Sequence, residues 1–345
     1  MMSQPVLALK DLRTVFHTAR GSFTAVDGVN LELRQGEVLG LVGESGSGKS
    51  VTLRSILRLV RPPGGVSGEV LWQGRNLLAL SEPQMRRVRG GEISMIFQEP
   101  MTALNPVLPI GEQIVETLRE HTELSGKALR DRAVELLELV GIPSPKERLR
   151  GYPHQFSGGM RQRAMIAIAL ASNPKLLLAD EPTTALDVTI QDQILKLLLR
   201  LKDTLGMSVI LVTHDLGVVA QTCERVAVMY AGRIVEVAPA AELFAQPRHA
   251  YTLGLLNSVP GAERTRRPLL PIPGAPPDLA ALPLGCPFAP RCTFTTPECT
   301  AARPPLVVIS STRLAAEPPS PVETPARLTA CIHHDKLTKA GEVAR

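Results

Sequence analysis

Aromatic side chains are scarce in this sequence: 3% of 345 residues, with a single Trp. The core must therefore be aliphatic, and a surface that stacks nucleic-acid bases has few platforms to work with. There is no apolar run of about 18 residues, so no transmembrane helix is predicted. The N-terminus, Met1-Met2-Ser3-Gln4-Pro5-Val6, carries neither the basic nor the apolar block of a secretory signal. The chain is expected to stay in the cytoplasm, and any passage through a membrane has to be supplied by other chains. Charge of one sign is not concentrated either. The net charge is +5, with small basic clusters at Arg86, Arg87, Arg89 and at Arg264, Arg266, Arg267. A solvated surface and a weak attraction to an anionic membrane face both accommodate that excess. No dense basic tail points to DNA, and no nucleic-acid partner is expected.

The 44% hydrophobic and 21% charged content is that of a globular protein with a real core. Val6-Leu7-Ala8-Leu9, Phe23 to Leu33 and Val38-Leu39-Gly40-Leu41-Val42 are predicted strands, and Ser50 to Val60 a helix. Residues 110–141 differ: Leu129, Ala133, Leu136, Leu137 and Val140 fall at helical spacing with no strand signal between, as in an all-helical insertion. From Gly158 the pattern runs helix, strand (Leu176 to Ala179), helix (Ile190 to Leu205), strand (Val209 to Val212). Strands alternating with helices of this length imply a parallel sheet covered on both faces. Near residue 260 the texture changes. Sixteen of the thirty prolines lie between Pro260 and Pro325, and proline removes donors and breaks helices, so an irregular, loop-rich segment is expected. The boundary falls between about 235 and 260, and no internal repeat is visible.

Gly43-Glu44-Ser45-Gly46-Ser47-Gly48-Lys49-Ser50 fits G-x-x-x-x-G-K-[ST] between a predicted strand and a predicted helix, the context that motif requires. The glycines let the loop wrap so that successive N–H groups face phosphate oxygens, and the helix N-terminus adds its positive end. Lys49 can reach the β- and γ-phosphates, and the Ser50 hydroxyl can ligate Mg²⁺. Leu176-Leu177-Leu178-Ala179-Asp180-Glu181 is an apolar strand ending in two carboxylates. Asp180 suits the coordination shell of the metal. Glu181, one residue on, can orient and deprotonate an attacking water.

Phe156-Ser157-Gly158-Gly159-Met160-Arg161-Gln162-Arg163 resembles the ABC signature motif and stands just before the carboxylate strand, its place in that family. Gln98 in Ile96-Phe97-Gln98-Glu99-Pro100 is similar to the Q-loop, Ala185-Leu186-Asp187 to the D-loop, and His214 in Thr213-His214-Asp215 to the switch histidine. The resemblance to ABC ATPases runs along nearly the whole chain. It implies an α/β P-loop NTPase fold: an ABC-type nucleotide-binding domain with a parallel sheet core, antiparallel edge strands and an inserted helical subdomain. It also implies an ATPase that binds ATP between two subunits facing head to tail. Gly43, Glu44, Ser45, Gly46, Ser47, Gly48, Lys49, Ser50, Val51 and Asp187 would then serve the nucleotide, with Ser157, Gly158 and Gly159 serving the partner's ATP. Glu181, His214 and Gln98 would be catalytic. Ser50, Gln98 and Asp180 would attend Mg²⁺. Phe16 is the expected adenine platform, with Phe23 second. Phe156 stands where leucine is commoner, and Thr184, before the D-loop, where serine is commoner; neither removes a group the chemistry needs.

The tail is similar to the C-terminal extension of dipeptide and oligopeptide importer ATPases: Pro247-Arg248-His249-Ala250-Tyr251-Thr252, then Leu255-Leu256-Asn257-Ser258-Val259-Pro260. Ala250 replaces the proline usual there. The expected division is an ABC ATPase domain over 1–245, with the helical subdomain at about 100–172, and the extension over 246–345. The implied function is ATP hydrolysis that drives peptide import. Nickel and glutathione importers of the same group are the alternative, and a non-transport ABC ATPase is a remoter one. The implied partners are a second, homologous ATPase in a heterodimer, two transmembrane permease subunits and, indirectly, an extracytoplasmic binding protein. The implied place is the cytoplasmic face of the cell membrane. Cys286, Cys292, Cys299 and Cys331 are four soft ligands in the irregular segment, and a disulfide is not expected in the cytosol. In this family the pattern resembles one that holds a [4Fe–4S] cluster. Zn²⁺ and four unrelated thiols remain the alternatives, the spacing not being the paired C-x2-C of a zinc ribbon. Cys223 reads as a small core residue.

Overall fold

The computed structural model describes residues 5–19, 21–184, 186–258, 270–309 and 327–337. Twelve strands run in chain order through these residues. The first six are β1 (Leu7–Thr18), β2 (Gly21–Leu33), β3 (Val38–Val42), β4 (Gly64–Trp72), β5 (Arg75–Asn76) and β6 (Ile93–Ile96). They are followed by β7 (Leu176–Asp180), β8 (Ser208–Val212), β9 (Arg225–Tyr230), β10 (Arg233–Pro239), β11 (Val307–Ile309) and β12 (Arg327–Thr329). The chain divides into two compact units, each discontinuous in sequence.

One unit takes the chain up to Leu7, Glu32–Val38 and Leu71–Val212. Its strands β6, β7 and β8 are parallel, with Ile93 opposite Leu176 and Leu176 opposite Ser208. Every residue of β7 and β8 is buried, so both read as continuous apolar runs rather than alternating ones. Between β6 and β7 there is no strand. The helices Ile110–His121, Lys127–Leu139 and Gly158–Leu170 lie there instead. The side chains that set the predicted helical spacing, Leu129, Ala133, Leu136, Leu137 and Val140, are all buried. The i, i+4, i+7, i+8 spacing places them on one stripe, as burying a single helix face requires. The helix Val188–Leu205 follows, closed by Gly206 in the left-handed conformation that a C-terminal cap demands.

The other unit takes Ala8–Leu31, Leu39–Val70 and the chain from Thr213. Here β3 pairs in parallel with β9, and β9 pairs antiparallel with β10. The irregular, loop-rich extension also carries regular elements. β12 pairs antiparallel with β10, Glu236 opposite Thr329, and β11 pairs antiparallel with β12. The extension therefore returns to prolong the sheet beyond β10. Its helix Ala250–Asn257 starts at Ala250 without the proline, because His249 caps it: Nδ1 accepts from the Tyr251 N–H at 3.1 Å. Residues 259–269, which include the Arg264, Arg266, Arg267 cluster, and residues 310–326 lie outside the described residues. Cys223 is buried under β3, where a Cβ added to Gly40 would meet its Sγ at 3.0 Å. Among the described residues no helix is long and apolar enough to cross a membrane.

Candidate functional site: phosphate loop, carboxylate strand end and signature turn

The chain from Gly43 to Lys49 leaves β3 and enters the helix Lys49–Ile56. Two of its glycines are there for space as well as conformation. Gly43 has φ +153, and a Cβ on it would lie 2.2 Å from the Met229 carbonyl oxygen. Gly48 has φ +106, and its Cβ would lie 2.4 Å from the Ala25 carbonyl oxygen. No side chain larger than hydrogen fits at either position. Gly48 is also the helix N-cap, with no side-chain cap bond. The helix therefore presents its first N–H groups to the loop, the arrangement that binds phosphate. Lys49 is buried and donates from Nζ to the carbonyls of Gly43 and Glu44, at 2.7 and 2.9 Å. Ser45 and Gly46 form the exposed tip, while Ser47 is buried.

In the same unit Phe16 and Phe23 form one stacked pair, ring centroids 5.5 Å apart and planes 24° apart. The two candidate adenine platforms are thus a single aromatic surface. His214 is exposed and sits between buried Thr213, whose hydroxyl accepts from the Asp215 N–H at 3.0 Å, and the helix Leu216–Thr222.

In the other unit Asp180 ends β7 fully buried. Glu181 follows with φ +48, a left-handed conformation uncommon for a residue with a Cβ, and its N–H donates to the Val212 carbonyl at 3.0 Å. One oxygen of its carboxylate, Oε2, takes two hydrogen bonds, from Gln98 Nε2 at 3.0 Å and from Thr184 Oγ1 at 2.8 Å. The Gln98 and Glu181 of the sequence reading are thus brought together. Thr184 joins them through the hydroxyl it shares with the commoner serine. Asp187 caps the helix Val188–Leu205, its carboxylate accepting from the Ile190 N–H at 2.9 Å. Ala185 of the same turn lies outside the described residues.

The signature turn is open. Ser157 and Gly158 are exposed at the N-terminus of the helix Gly158–Leu170, and the Ser157 hydroxyl accepts from the Met160 N–H at 3.3 Å. Beside it Phe156 is buried, with the Arg148 guanidinium 5.9 Å from its ring centre. A Cβ on Gly159 would meet Ile190 at 3.0 Å, so this glycine lets two helices approach.

The four cysteines of the extension line one small cavity with His249, Phe288 and His333. All four are free. The Cys286 N–H donates to the Cys299 carbonyl at 2.7 Å, and the Cys331 N–H to the Thr329 hydroxyl at 3.2 Å, so β12 delivers the fourth thiol. Burial pushes the Cys292 thiol up to about 11, and the mutual proximity of the other three adds to this. Cys286 and Cys331 are raised for the same first reason. These thiols keep their protons at neutral pH unless a cation displaces them. Among the described residues, no group of three or more His, Cys, Asp or Glu side chains has an arrangement that could hold a metal ion. The four thiols share one cavity, and the structure does not support an iron–sulfur cluster or other metal site there.

Sequence reasoning missed the residues that hold the loop from behind. Tyr251 Oη accepts from the Glu44 N–H at 2.7 Å. Arg291 grips the Glu44 carboxylate with both ends of its guanidinium, at 2.7 and 2.9 Å. Arg291 stands 247 positions from Glu44, and nothing local in the sequence marks the pairing.

Comparison with known proteins agrees with the motifs. The "ABC transporter" family matches residues 26–184, and "Oligopeptide/dipeptide transporter, C-terminal region" matches residues 235–299. The chain is 53% identical over 310 residues to the oligopeptide transport ATP-binding protein OppD of Bacillus subtilis, covering 89% of this chain and 87% of that one. It is 53% identical over 291 residues to the dipeptide transport ATP-binding protein DppD of the same species, covering 84% and 87%. A solved structure of the ATP-binding cassette MJ0796, a dimer in a post-hydrolysis state bound to ADP and Pi, superposes with a TM-score of 0.61 at 32% identity. It covers 68% of this chain and 98% of that one. The chain belongs to the ATP-binding, ATP-hydrolysing subunits of ABC transporters, in the branch that carries the oligopeptide/dipeptide C-terminal region.

Proposed function

We propose that this chain hydrolyses ATP to drive peptide import, as one of a pair of homologous ATPases beneath two permease subunits on the cytoplasmic face of the membrane. The observation that carries the reading is the match of residues 235–299 to the oligopeptide/dipeptide transporter C-terminal region. High identity to peptide-transport relatives over most of the chain supports it. Membership of the family implies membrane permease partners. A heterodimeric partner ATPase and an extracytoplasmic binding protein complete the proposed assembly. The proposed division is an ATPase domain over 1–245, with a helical subdomain at about 100–172, and an extension over 246–345.

Each site residue then has a task. The N–H groups of the loop from Gly43 to Val51 surround the phosphates. Lys49 exchanges the carbonyls of Gly43 and Glu44, which it now holds, for phosphate oxygens. Phe16, backed by Phe23, presents its face to adenine. Mg²⁺, when bound, neutralises charge on the phosphate oxygens. Its proposed donors are the Ser50 hydroxyl and the Gln98 amide oxygen, with the buried Asp180 carboxylate reaching it through a water, hard oxygen atoms of the kind this ion takes. Glu181, anchored through one oxygen by Gln98 and Thr184, turns the other to the attacking water and accepts its proton. His214 holds the γ-phosphate. Ser157, Gly158 and Gly159 offer a hydroxyl and a helix N-terminus to the partner subunit's ATP, and Asp187 steadies the turn beside them by its cap. Closure of the pair therefore depends on a γ-phosphate, and hydrolysis releases it.

The four-cysteine cavity is proposed as the seat of a [4Fe–4S] cluster, with Zn²⁺ as the alternative. What supports the reading is donor type alone: four thiols lining one cavity, with no disulfide among them. Iron, sulfide and zinc analysis of anaerobically purified, folded protein decides it, and finding none of the three removes the proposal.

The catalytic reading is tested with Glu181→Gln in the assembled transporter. It should bind ATP, favour the closed pair and hydrolyse about 10²- to 10⁴-fold more slowly, the range a general base supplies. Wild-type turnover would remove Glu181 from the role. Uptake of labelled di- and oligopeptides into vesicles carrying the permeases tests the solute. ATP-driven uptake of nickel or glutathione but no peptide would overturn peptide import.

A further inference from the structure

A carboxylate beside a triphosphate site is a liability, because like charges repel in a partly buried setting. Glu44, the second residue of the phosphate loop, is such a carboxylate, and the extension disarms it. The Arg291 guanidinium meets it in the two-pronged geometry that is strongest for this pair, at 2.7 and 2.9 Å. Arg291 is itself fixed: Nε donates to the Pro273 carbonyl at 2.8 Å, and a guanidinium N–H donates to Tyr230 Oη at 3.3 Å. The Arg291 side chain is only 6% exposed. Tyr251 secures the backbone of the same loop residue through the Glu44 N–H. Tyr230, Tyr251 and Phe288 pack as an aromatic cluster, with ring centroids 4.5 to 5.4 Å apart. The loop residue is thus held by side chain and by main chain. Both holds come from residues C-terminal to the matched ATPase segment.

We infer that Arg291 and Tyr251 are positioning residues for nucleotide binding: they turn the Glu44 carboxylate away, neutralise it, and fix the loop backbone for phosphate. Arg291 closes a short 3-10 turn, Ala289–Arg291, between Cys286 and Cys292. Arg291 thereby ties the cysteine-lined segment to the phosphate loop.

The test is Mg-ATP affinity and ATPase KM of the full chain in its assembled transporter, with melting temperature measured alongside. Arg291→Met should weaken ATP binding roughly 10-fold, within the range of coupled neighbours, and should move KM more than kcat. Glu44→Gln added to Arg291→Met should restore most of that loss, because the unneutralised charge is gone. Arg291→Lys, which keeps the charge but loses the fork, should fall between; it also serves if the methionine variant does not fold. Tyr251→Phe should raise KM about 3-fold, since it leaves the Glu44 N–H without its acceptor. The inference is overturned if Arg291→Met or Arg291→Lys lowers the melting temperature while KM stays at its wild-type value. It is equally overturned if the double variant binds ATP no better than Arg291→Met alone.

Discussion

Arg327→Met should be among the most damaging single substitutions outside the nucleotide site. Arg327 lies on β12 with 2% of its side chain exposed, facing Glu236 on β10, which is fully buried. The pair is bonded at 3.1 Å, and the Arg327 guanidinium also donates to the Gln246 carbonyl. Glu236 also accepts from the Arg248 N–H at 2.8 Å. Methionine replaces the volume but leaves a carboxylate buried without its countercharge, which costs about 3–5 kcal/mol. At roughly 2–4 °C per kcal/mol for a unit of this size, the melting temperature should fall by about 10 °C. The sign of the pH dependence follows. Burial raises the pKa of Glu236, and Arg327 opposes the rise. Without Arg327 the native chain holds a proton that the unfolded chain releases, so the variant loses stability as pH rises through that window. Its deficit against wild type should therefore shrink as pH is lowered. Glu236→Gln combined with Arg327→Met should recover much of the loss, since no buried charge then remains. Chemical denaturation across pH 5.5 to about 8 measures all of this. A deficit under about 1 kcal/mol, or one independent of pH, would refute the reasoning.

Two further predictions use different observables. Gly43→Ala brings a methyl to 2.2 Å from the Met229 carbonyl oxygen, so the loop backbone must shift; nucleotide affinity should drop at least about 10-fold, and titration with a fluorescent ATP analogue reads it. His249 is buried, and burial alone lowers its pKa from 6.5 to about 4. The folded chain keeps it neutral while the unfolded chain takes up a proton, so this contribution is complete above about 6.5 and is lost as pH falls towards 4. The loss amounts to about 3 kcal/mol. His249→Asn, which keeps a cap acceptor, should lack that share of the acid slope in paired denaturation series; an unchanged slope would count against it.

What was legible in the sequence was legible because its cause is local. The loop from Gly43 to Ser50 needs glycine where the backbone turns left-handed, and those glycines stand in the sequence whatever surrounds them. The strands β7 and β8 announce themselves as apolar runs because both of their faces are covered. What was not legible is set by partners far along the chain. β12 is three residues long, too short for any alternation to show, and is defined by pairing with β10 some ninety positions earlier. The Arg291–Glu44 pair and the convergence of Arg13, Arg233 and Arg303 on Asp27 have the same character. Asp187 also carries a local signal, since an aspartate before a helix caps it, and its carboxylate accepts from the Ile190 N–H. Phe156 shows the converse. Measured against its motif it is a departure, since leucine is commoner there. In the fold its ring is buried against Gly151, where a Cβ would lie 2.8 Å from Cε2. The larger side chain at 156 and the missing one at 151 are a single compensated choice. Phe156→Leu alone would therefore open a cavity beside the signature turn rather than restore it.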